Sequence, residues 1–287
     1  MGKRLYVPAG VTTGEDVELS ALRLLGQVGH GGQGRVYELE NSRTLLYKQY
    51  YDAERICGDA MSRLVKLRQQ RRPADRSWLD SHFAWPMCRV ISAGVVVGFL
   101  MRHANKSYSW HDAAGRRHLT ELQYLIRPPK PSWRQITQPR PDQRGQLAYA
   151  LAELTSRLHH WGVVVGDISD ANVLWTVRPQ PDVYVIDCDG MRIRGKDPIL
   201  DQADTPGWHD PLQRFPVPGT DADLYKLALA LARILCCDPE MRPGDQLIFV
   251  SGALGHRERE VRLLFARAAG PSGTRPDATL WAAALAD

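Results

Sequence analysis

The stretch Gly29-His30-Gly31-Gly32-Gln33-Gly34-Arg35-Val36 decides how the first part of this chain folds. Four glycines within six positions favour a bend whose backbone N–H groups can approach a polyanion, because glycine has no Cβ in the way. The run Val36-Tyr37-Glu38-Leu39 then continues as a strand, so the glycines are predicted to form the bend of a β-hairpin. A dinucleotide-binding fold needs a helix after its glycines and is excluded. A flexible hairpin without a ligand is the alternative.

A lysine follows in the middle of an apolar run. Lys48 lies in Leu45-Leu46-Tyr47-Lys48-Gln49-Tyr50, which is predicted to be a strand. An unpaired charge is costly to bury, and a polyphosphate beneath the strand would supply the partner. The alternative is an edge lysine whose ammonium reaches water. Lys48 is therefore a candidate phosphate ligand.

The composition is that of an ordinary globular protein, with 287 residues, 44% hydrophobic and 24% charged. The longest apolar stretches, residues 94–101 and 227–235, are far shorter than the ~20 residues of a membrane span, so no membrane partner is expected. No apolar segment typical of a secretory signal follows the basic start. Five scattered cysteines without a C-x-x-C pair argue against a disulfide framework or a zinc knuckle, and favour a reducing cytoplasm.

The charge balance is mildly basic. The net charge of +5 comes from 37 basic and 32 acidic residues, which is too small an excess to require nucleic acid. The densest basic run, residues 63–76, is predicted to be a solvated helix face. No nucleic-acid partner is therefore expected.

Hydrophobic periodicity predicts short strands in the first half and helices in the second. Strands are expected at residues 22–28, 35–39, 44–50, 87–92 and 95–101. Helices are expected at residues 59–72, around 119–125, and at 143–161, 221–235, 258–269 and 278–285. Thr220 or Asp221 is the expected N-cap of the helix at 221–235. This order predicts an α+β protein with a small β-rich lobe up to about residue 103 and a larger α-rich lobe after it.

Two stretches of the second half carry a resemblance to a known family. Val163-Val164-Val165-Gly166-Asp167-Ile168-Ser169-Asp170-Ala171-Asn172 resembles the catalytic-loop pattern H-R-D-x-x-x-x-N at its aspartate and asparagine. Val183-Tyr184-Val185-Ile186-Asp187-Cys188-Asp189-Gly190 resembles a strand that ends in the D-F-G motif, with Cys188 for Phe and Asp189 for Gly. With the glycine loop and Lys48 in the same chain order, the sequence resembles the eukaryotic-like bacterial branch of the serine/threonine protein kinases over about residues 22–285.

The resemblance implies a bilobal protein-kinase-like α+β fold. It implies an N-terminal extension at 1–21, a small β-rich N-lobe at 22–103 and a larger α-helical C-lobe at 104–287. ATP and Mg²⁺ would bind in the cleft between the lobes. The implied activity is transfer of the ATP γ-phosphate to a serine or threonine hydroxyl of a protein substrate, with the enzyme itself among the candidate acceptors.

The resemblance also implies roles for individual residues. Asp167 would orient the acceptor hydroxyl and take its proton. Asn172 and Asp187 would hold Mg²⁺ against the phosphates, and Lys48 would contact the α- and β-phosphates. Further ATP-binding positions follow from the glycine loop, from a hinge near residues 101–104 and from the residues above and below the adenine: Gly29, Gly31, Gly32, Gly34, Val36, Met101, His103 and Leu174.

Residues nearer the C-terminus extend the resemblance. The stretch from Thr205 to Pro211 resembles the end of an activation segment. Asp223 resembles the helix aspartate that braces the catalytic-loop backbone, and Arg275 resembles the late kinase arginine. Leu212 replaces the glutamate that usually pairs with that arginine, and Asp210 is the expected substitute.

Other departures keep two further functions open. Gly166 replaces the catalytic-loop arginine, Ser169 replaces a lysine near the transferred phosphate, and Glu54 and Asp59 are too early to be the helix glutamate that pairs with the strand lysine. These losses favour a nucleotide-binding pseudokinase scaffold as one alternative. The other alternative is a small-molecule kinase on the same fold, with an acceptor pocket in residues 105–140.

Overall fold

The computed structural model describes residues 16–40, 42–201, 205–213, 217 and 219–286. In these residues the chain is a mixed α+β protein with twelve strands and seven α-helices. The strands are β1 Asp16–Glu18, β2 Leu24–His30, β3 Gly34–Leu39, β4 Ser42–Tyr50, β5 Cys88–Ser92, β6 Val95–Arg102, β7 Ser109–His111, β8 Arg117–Leu119, β9 Val163–Val164, β10 Val173–Thr176, β11 Asp182–Val185 and β12 Arg192–Ile193. The helices are α1 Gly58–Gln69, α2 Pro73–His82, α3 Gln123–Ile126, α4 Pro141–His160, α5 Thr220–Cys236, α6 Glu258–Ala268 and α7 Ala278–Leu285.

The chain forms two compact units. The first comprises Met1–Ala104 and Asp187–Leu200, and the second comprises Asn105–Ile186 and Asp201–Asp287. The predicted division near residue 103 differs from these units in one segment, because Asp187–Leu200, expected in the C-lobe, belongs to the first unit. Its backbone is tied there, since the N–H of Cys57 donates to the carbonyl of Ile199 at 2.9 Å.

The first unit is built on a six-stranded sheet in the order β1-β5-β6-β4-β3-β2. Neighbouring strands are antiparallel except for β1, which pairs in parallel with β5. The glycine stretch lies in the β2–β3 hairpin, as predicted. Strand β1 lies inside the segment expected to be an N-terminal extension, because three residues are too few to show a strand pattern.

The core on one side of this sheet comes from alternating side chains of several strands. It consists of Val17, Leu39, Leu45, Tyr47, Cys88, Val90 and Leu100. Tyr47 is fully buried in the middle of β4, and burial raises the pKa of its hydroxyl. The next residue on β4, Lys48, points to the opposite face because side chains alternate along a strand.

The prediction of one helix over 59–72 was wrong at its C-terminal end. Helix α1 ends at Gln69, and a second helix, α2, begins at Pro73, where a missing N–H and a fixed φ suit the first helical position. Sequence periodicity missed α2 because its buried side is reduced to Leu79. The basic run is not wholly solvated, since Arg68 is buried and donates two hydrogen bonds to Asp80, at 2.6 and 2.7 Å.

The second unit packs long helices with short hairpins. Strands β7–β8 and β10–β11 form two antiparallel pairs. Helix α5 is buried on almost every side, as its apolar sequence predicts, and α4 packs against both α5 and α7. The helix expected around 119–125 is displaced to Gln123–Ile126, because residues 117–119 pair as strand β8.

Two smaller features complete the fold. Gly219, not Thr220 or Asp221, is the N-cap of α5, and no side chain caps this end. The five cysteines are free thiols. In the part of the chain that the structure describes, no helix combines the length and apolarity needed to cross a bilayer.

Gly34 is the glycine of the hairpin whose close packing against β4 can be tested by substitution. A Cβ on Gly34 would lie 2.2 Å from the carbonyl oxygen of Gln49 on β4, whereas a Cβ on Gly32 meets no atom within 4 Å. We expect Gly34→Ala to lower the free energy of unfolding by about 1–3 kcal/mol, because β3 must move away from β4. Gly32→Ala, the matched control, should change it by less than about 0.5 kcal/mol. Urea unfolding measures both, and equal values would contradict this packing.

Candidate functional site

Lys48 lies on a central strand of the first unit and is held by acidic side chains. Strand β4 pairs with β3 and β6, and Lys48 stands opposite Val36 on one side and Phe99 on the other. Its residue surface is 5% exposed. Its Nζ donates to Oδ1 of Asp189 at 2.9 Å and to Oδ1 of Asp187 at 3.3 Å. The structure therefore brings together the predicted phosphate lysine and one predicted metal ligand.

Asp189 is the buried anchor of this arrangement. Its second oxygen accepts a hydrogen bond from the Tyr50 hydroxyl at 2.7 Å. Burial lowers the pKa of Lys48, but the two carboxylates outweigh it and raise the pKa overall, so the ammonium stays charged. Burial, together with Asp189, raises the pKa of Tyr50 well above its usual value, so this hydroxyl stays a donor.

Asp187 is the accessible carboxylate of the pair. Its side chain is 55% exposed, against 2% for Asp189. Its backbone has φ 55° and ψ 41°, a left-handed conformation that is uncommon for residues other than glycine and that aspartate tolerates better than most. One carboxylate oxygen thus meets the buried ammonium, and the group as a whole remains open to a cation from solvent.

Sequence reasoning missed the role of Asp189. It treated Asp189 as a substitute for a glycine and looked for the partner of Lys48 on the following helix. In the structure Asp189, two residues after Asp187, is the buried acceptor for the Lys48 ammonium, at 2.9 Å. The signal was the repeat of aspartate around Cys188 directly after an apolar strand.

The glycine hairpin has an open turn. Gly31 donates its N–H to the carbonyl of Gly34 at 3.0 Å, and a Cβ on Gly31 or Gly32 would meet no atom within 4 Å. All four glycines of the motif are described, and none has a φ in the left-handed region. Gly31 and Gly32 therefore contribute clear space over the turn and not an unusual backbone conformation.

Asp167 is the centre of the second cluster, which lies in the second unit. It accepts hydrogen bonds from Nδ2 of Asn172 at 2.7 Å and from the Thr205 hydroxyl at 3.0 and 3.1 Å. Nζ of Lys226 lies 3.9 Å from its Oδ1. Burial raises the pKa of Asp167, while Lys226, Thr205 and Asn172 act in the opposite direction. The carboxylate thus already receives a hydroxyl donor at hydrogen-bond distance.

Helix α5 fixes the backbone in front of Asp167. Asp223, which is fully buried, accepts from the N–H groups of Val165 and Gly166, both at 2.7 Å. This confirms the expected brace. Nζ of Lys226 donates to the carbonyl of Gly166 at 2.6 Å, a contact that sequence reasoning did not predict.

Arg275 also pairs with the residue that was expected to be its partner. Arg275 donates to both carboxylate oxygens of Asp210, at 2.6 and 2.9 Å, and to Asp221 at 3.0 Å. Asp210 is thus the main carboxylate partner of Arg275, as expected.

The residues predicted around the adenine lie on three strands and one short connection. Val36 is half-buried on β3, Met101 is buried on β6, and Leu174 is fully buried on β10. His103 follows β6, where its N–H donates to the carbonyl of Thr44 at 3.0 Å.

The donor types fit Mg²⁺. This ion takes oxygen ligands and is commonly held by one or two carboxylates together with substrate phosphates. Asp187 offers an accessible carboxylate. Asn172 uses its amide nitrogen on Asp167, so its amide oxygen is the atom that can face a cation. The described residues contain no group of three or more His, Cys, Asp or Glu that could hold a metal by themselves, so substrate oxygens would have to complete the shell.

A separate open pocket of about 460 Å³ lies within the second unit. Its lining includes Ser107, Trp110, Gln135, Trp175 and Arg178. It falls partly in residues 105–140, where an acceptor pocket was considered.

Comparison of the chain with family models and with curated proteins finds no match.

The two carboxylates around Lys48 should differ in their contribution to stability. Asp189→Ala leaves a buried ammonium and a buried Tyr50 hydroxyl short of an acceptor, so we expect a loss of about 3 kcal/mol in the free energy of unfolding. Asp187→Ala removes a largely exposed partner and should cost about 1 kcal/mol or less. Chemical denaturation of both variants measures the difference. A larger loss in Asp187→Ala would contradict the assignment of Asp189 as the anchor.

Proposed function

We propose that this protein is an ATP- and Mg²⁺-dependent phosphotransferase that moves the γ-phosphate of ATP to a serine or threonine hydroxyl of a protein. The observation that carries the proposal is the pairing of Lys48 with Asp187. A lysine on a central strand and an accessible carboxylate directly after another strand give a phosphate ligand and a metal ligand side by side. The glycine hairpin supports the proposal, since β3 places Val36 opposite Lys48.

Asp167 is the proposed proton acceptor. A general base must lie within about 2.6–3.2 Å of the hydroxyl that it deprotonates, and Asp167 already accepts from the Thr205 hydroxyl at such distances. In the proposed reaction the acceptor oxygen attacks the γ-phosphorus, the bond to the bridging oxygen of ADP breaks, and Asp167 takes the hydroxyl proton.

The other groups bind and orient the nucleotide. Lys48 would contact the α- and β-phosphates, and Asp187 and Asn172 would hold Mg²⁺. When bound, the ion would neutralise phosphate charge. Val36, Met101, His103 and Leu174 stay the proposed surroundings of the adenine.

The absence of a glutamate on the following helix does not leave Lys48 without a carboxylate partner. Its usual purpose is to keep the lysine charged and correctly oriented, and Asp189 supplies a buried carboxylate at 2.9 Å. The proposal therefore needs no carboxylate from α1.

A pseudokinase scaffold is the second candidate, and Ser169 favours it. This residue stands where a lysine is expected near the transferred phosphate, and it is fully buried with a hydroxyl that has no hydrogen-bond partner.

The pocket in the second unit gives less support to the other alternative, a small-molecule kinase. A strand rises about 3.3 Å per residue, so Thr176, at the pocket and at the end of β10, lies roughly 13 Å from Asn172, which directly precedes that strand.

Phosphotransfer from radiolabelled Mg-ATP to a serine/threonine peptide mixture, and to the protein itself, tests the proposal. We expect incorporation by the wild type, and a reduction of about 10²–10⁴-fold in kcat for Asp167→Asn because the proton acceptor is lost. The affinity for Mg-ATP should change less than about threefold, since this residue does not bind the nucleotide. Asp142→Asn, at an exposed aspartate at the start of α4, is the matched control.

The outcomes separate the candidate functions. Equal incorporation by wild type and Asp167→Asn would overturn the assignment of the base. Binding of Mg-ATP without transfer to any acceptor would favour the scaffold. Labelling of small metabolite hydroxyls in place of peptides would favour the small-molecule kinase.

A further inference from the structure

We propose that Lys226 is a positioning residue for Asp167, which it reaches from the buried helix α5. The inference rests on the proposed function of Asp167 as proton acceptor. It concerns how the chain keeps that carboxylate in place without the arginine and the lysine that the resembled family carries in its catalytic loop.

The position of Lys226 in the fold is unusual for a lysine. Its residue surface is 0% exposed, and its neighbours along α5 are buried apolar residues such as Leu227 and Ala228. Removing an ammonium from water costs several kcal/mol, and a buried ion pair is often no more stable than apolar residues of similar volume. Packing alone would therefore be satisfied by a leucine or methionine at this position.

Lys226 and Asp223 act on the same residue of the loop. They are three positions apart on α5, so their side chains leave the same face of the helix. Asp223 accepts from the N–H of Gly166, and Lys226 donates to its carbonyl. Both backbone polar groups of the residue directly before Asp167 are thus held by one helix.

The glycine at position 166 follows from this geometry. Its φ is 83°, a left-handed conformation that a side chain would strain. The loop thus has a glycine where the resembled pattern has an arginine, and both the N–H and the carbonyl of this glycine are hydrogen-bonded to α5. The carboxylate that follows has its Oδ1 3.9 Å from the same ammonium.

Ser169 is fully buried and carries no charge, so the loop has no cation of its own at position 169. Lys226 is buried as well, and it reaches the Asp167 carboxylate through the interior. Its effect is therefore on the position of Asp167 and not on direct contact with the phosphate.

Lys226→Met removes the charge and the donor while keeping the length of the side chain. We expect kcat to fall by about 10- to 100-fold, the range that a misplaced catalytic group costs. The KM for ATP and the rise in melting temperature with Mg-ATP should stay within about twofold of wild type. Lys226→Gln keeps a donor without the charge and should show a similar loss. Leu227→Met is the matched control for repacking of α5 and should keep wild-type kcat.

A double-mutant cycle with Asp167→Asn makes the test specific. If Lys226 acts through Asp167, then Lys226→Met should lower kcat little further in the Asp167→Asn background. An equal fractional loss in both backgrounds would overturn the inference, because a merely structural lysine lowers both rates alike. Unchanged kcat in Lys226→Met, with Asp167→Asn strongly impaired, would overturn it while leaving the proposed function intact. An inactive wild type would overturn both.

Discussion

A buried ammonium on the central strand of the first unit is the constraint on which the candidate site depends. Lys48 cannot remain charged inside the protein without negative partners. The chain supplies the partners from far away, with Asp189 beneath and Asp187 at the surface. This pairing explains why Asp187–Leu200 belongs to the first unit although it follows a strand of the second.

In the second unit the central group is a carboxylate and not an ammonium. Asp167 lies on a loop, and side chains of the buried helix α5 contact that loop. Asp223 accepts from the N–H of Gly166 and Lys226 donates to its carbonyl, and Arg275 and Asp210 form a buried ion pair in the same unit. In both units a contact between residues far apart in the chain holds a loop next to the candidate site.

The sequence was sufficient for features that depend on local pattern. The β-hairpin at the glycines, the buried helix α5 and the last two helices follow from glycine content and apolar periodicity, and all are found where they were predicted. Helix α2 and strand β1 were not predictable, since one buried residue and three residues respectively give no period to detect. Asp189 and Lys226 were missed for another reason. Their partners lie 141 and 60 positions away in the chain, and local sequence does not show which distant residue a side chain will pair with.

The proposed function requires that Lys48 and Asp187 together bind a magnesium nucleotide. Calorimetric titration with a non-hydrolysable ATP analogue, with and without Mg²⁺, tests it most directly. We expect binding by the wild type that weakens at least about tenfold in Lys48→Met. Lys66→Met, at the exposed Lys66, is the control and should leave binding unaffected. Asp187→Asn should lose the Mg²⁺ dependence. Equal affinity in all four proteins, with the same response to Mg²⁺, would contradict it.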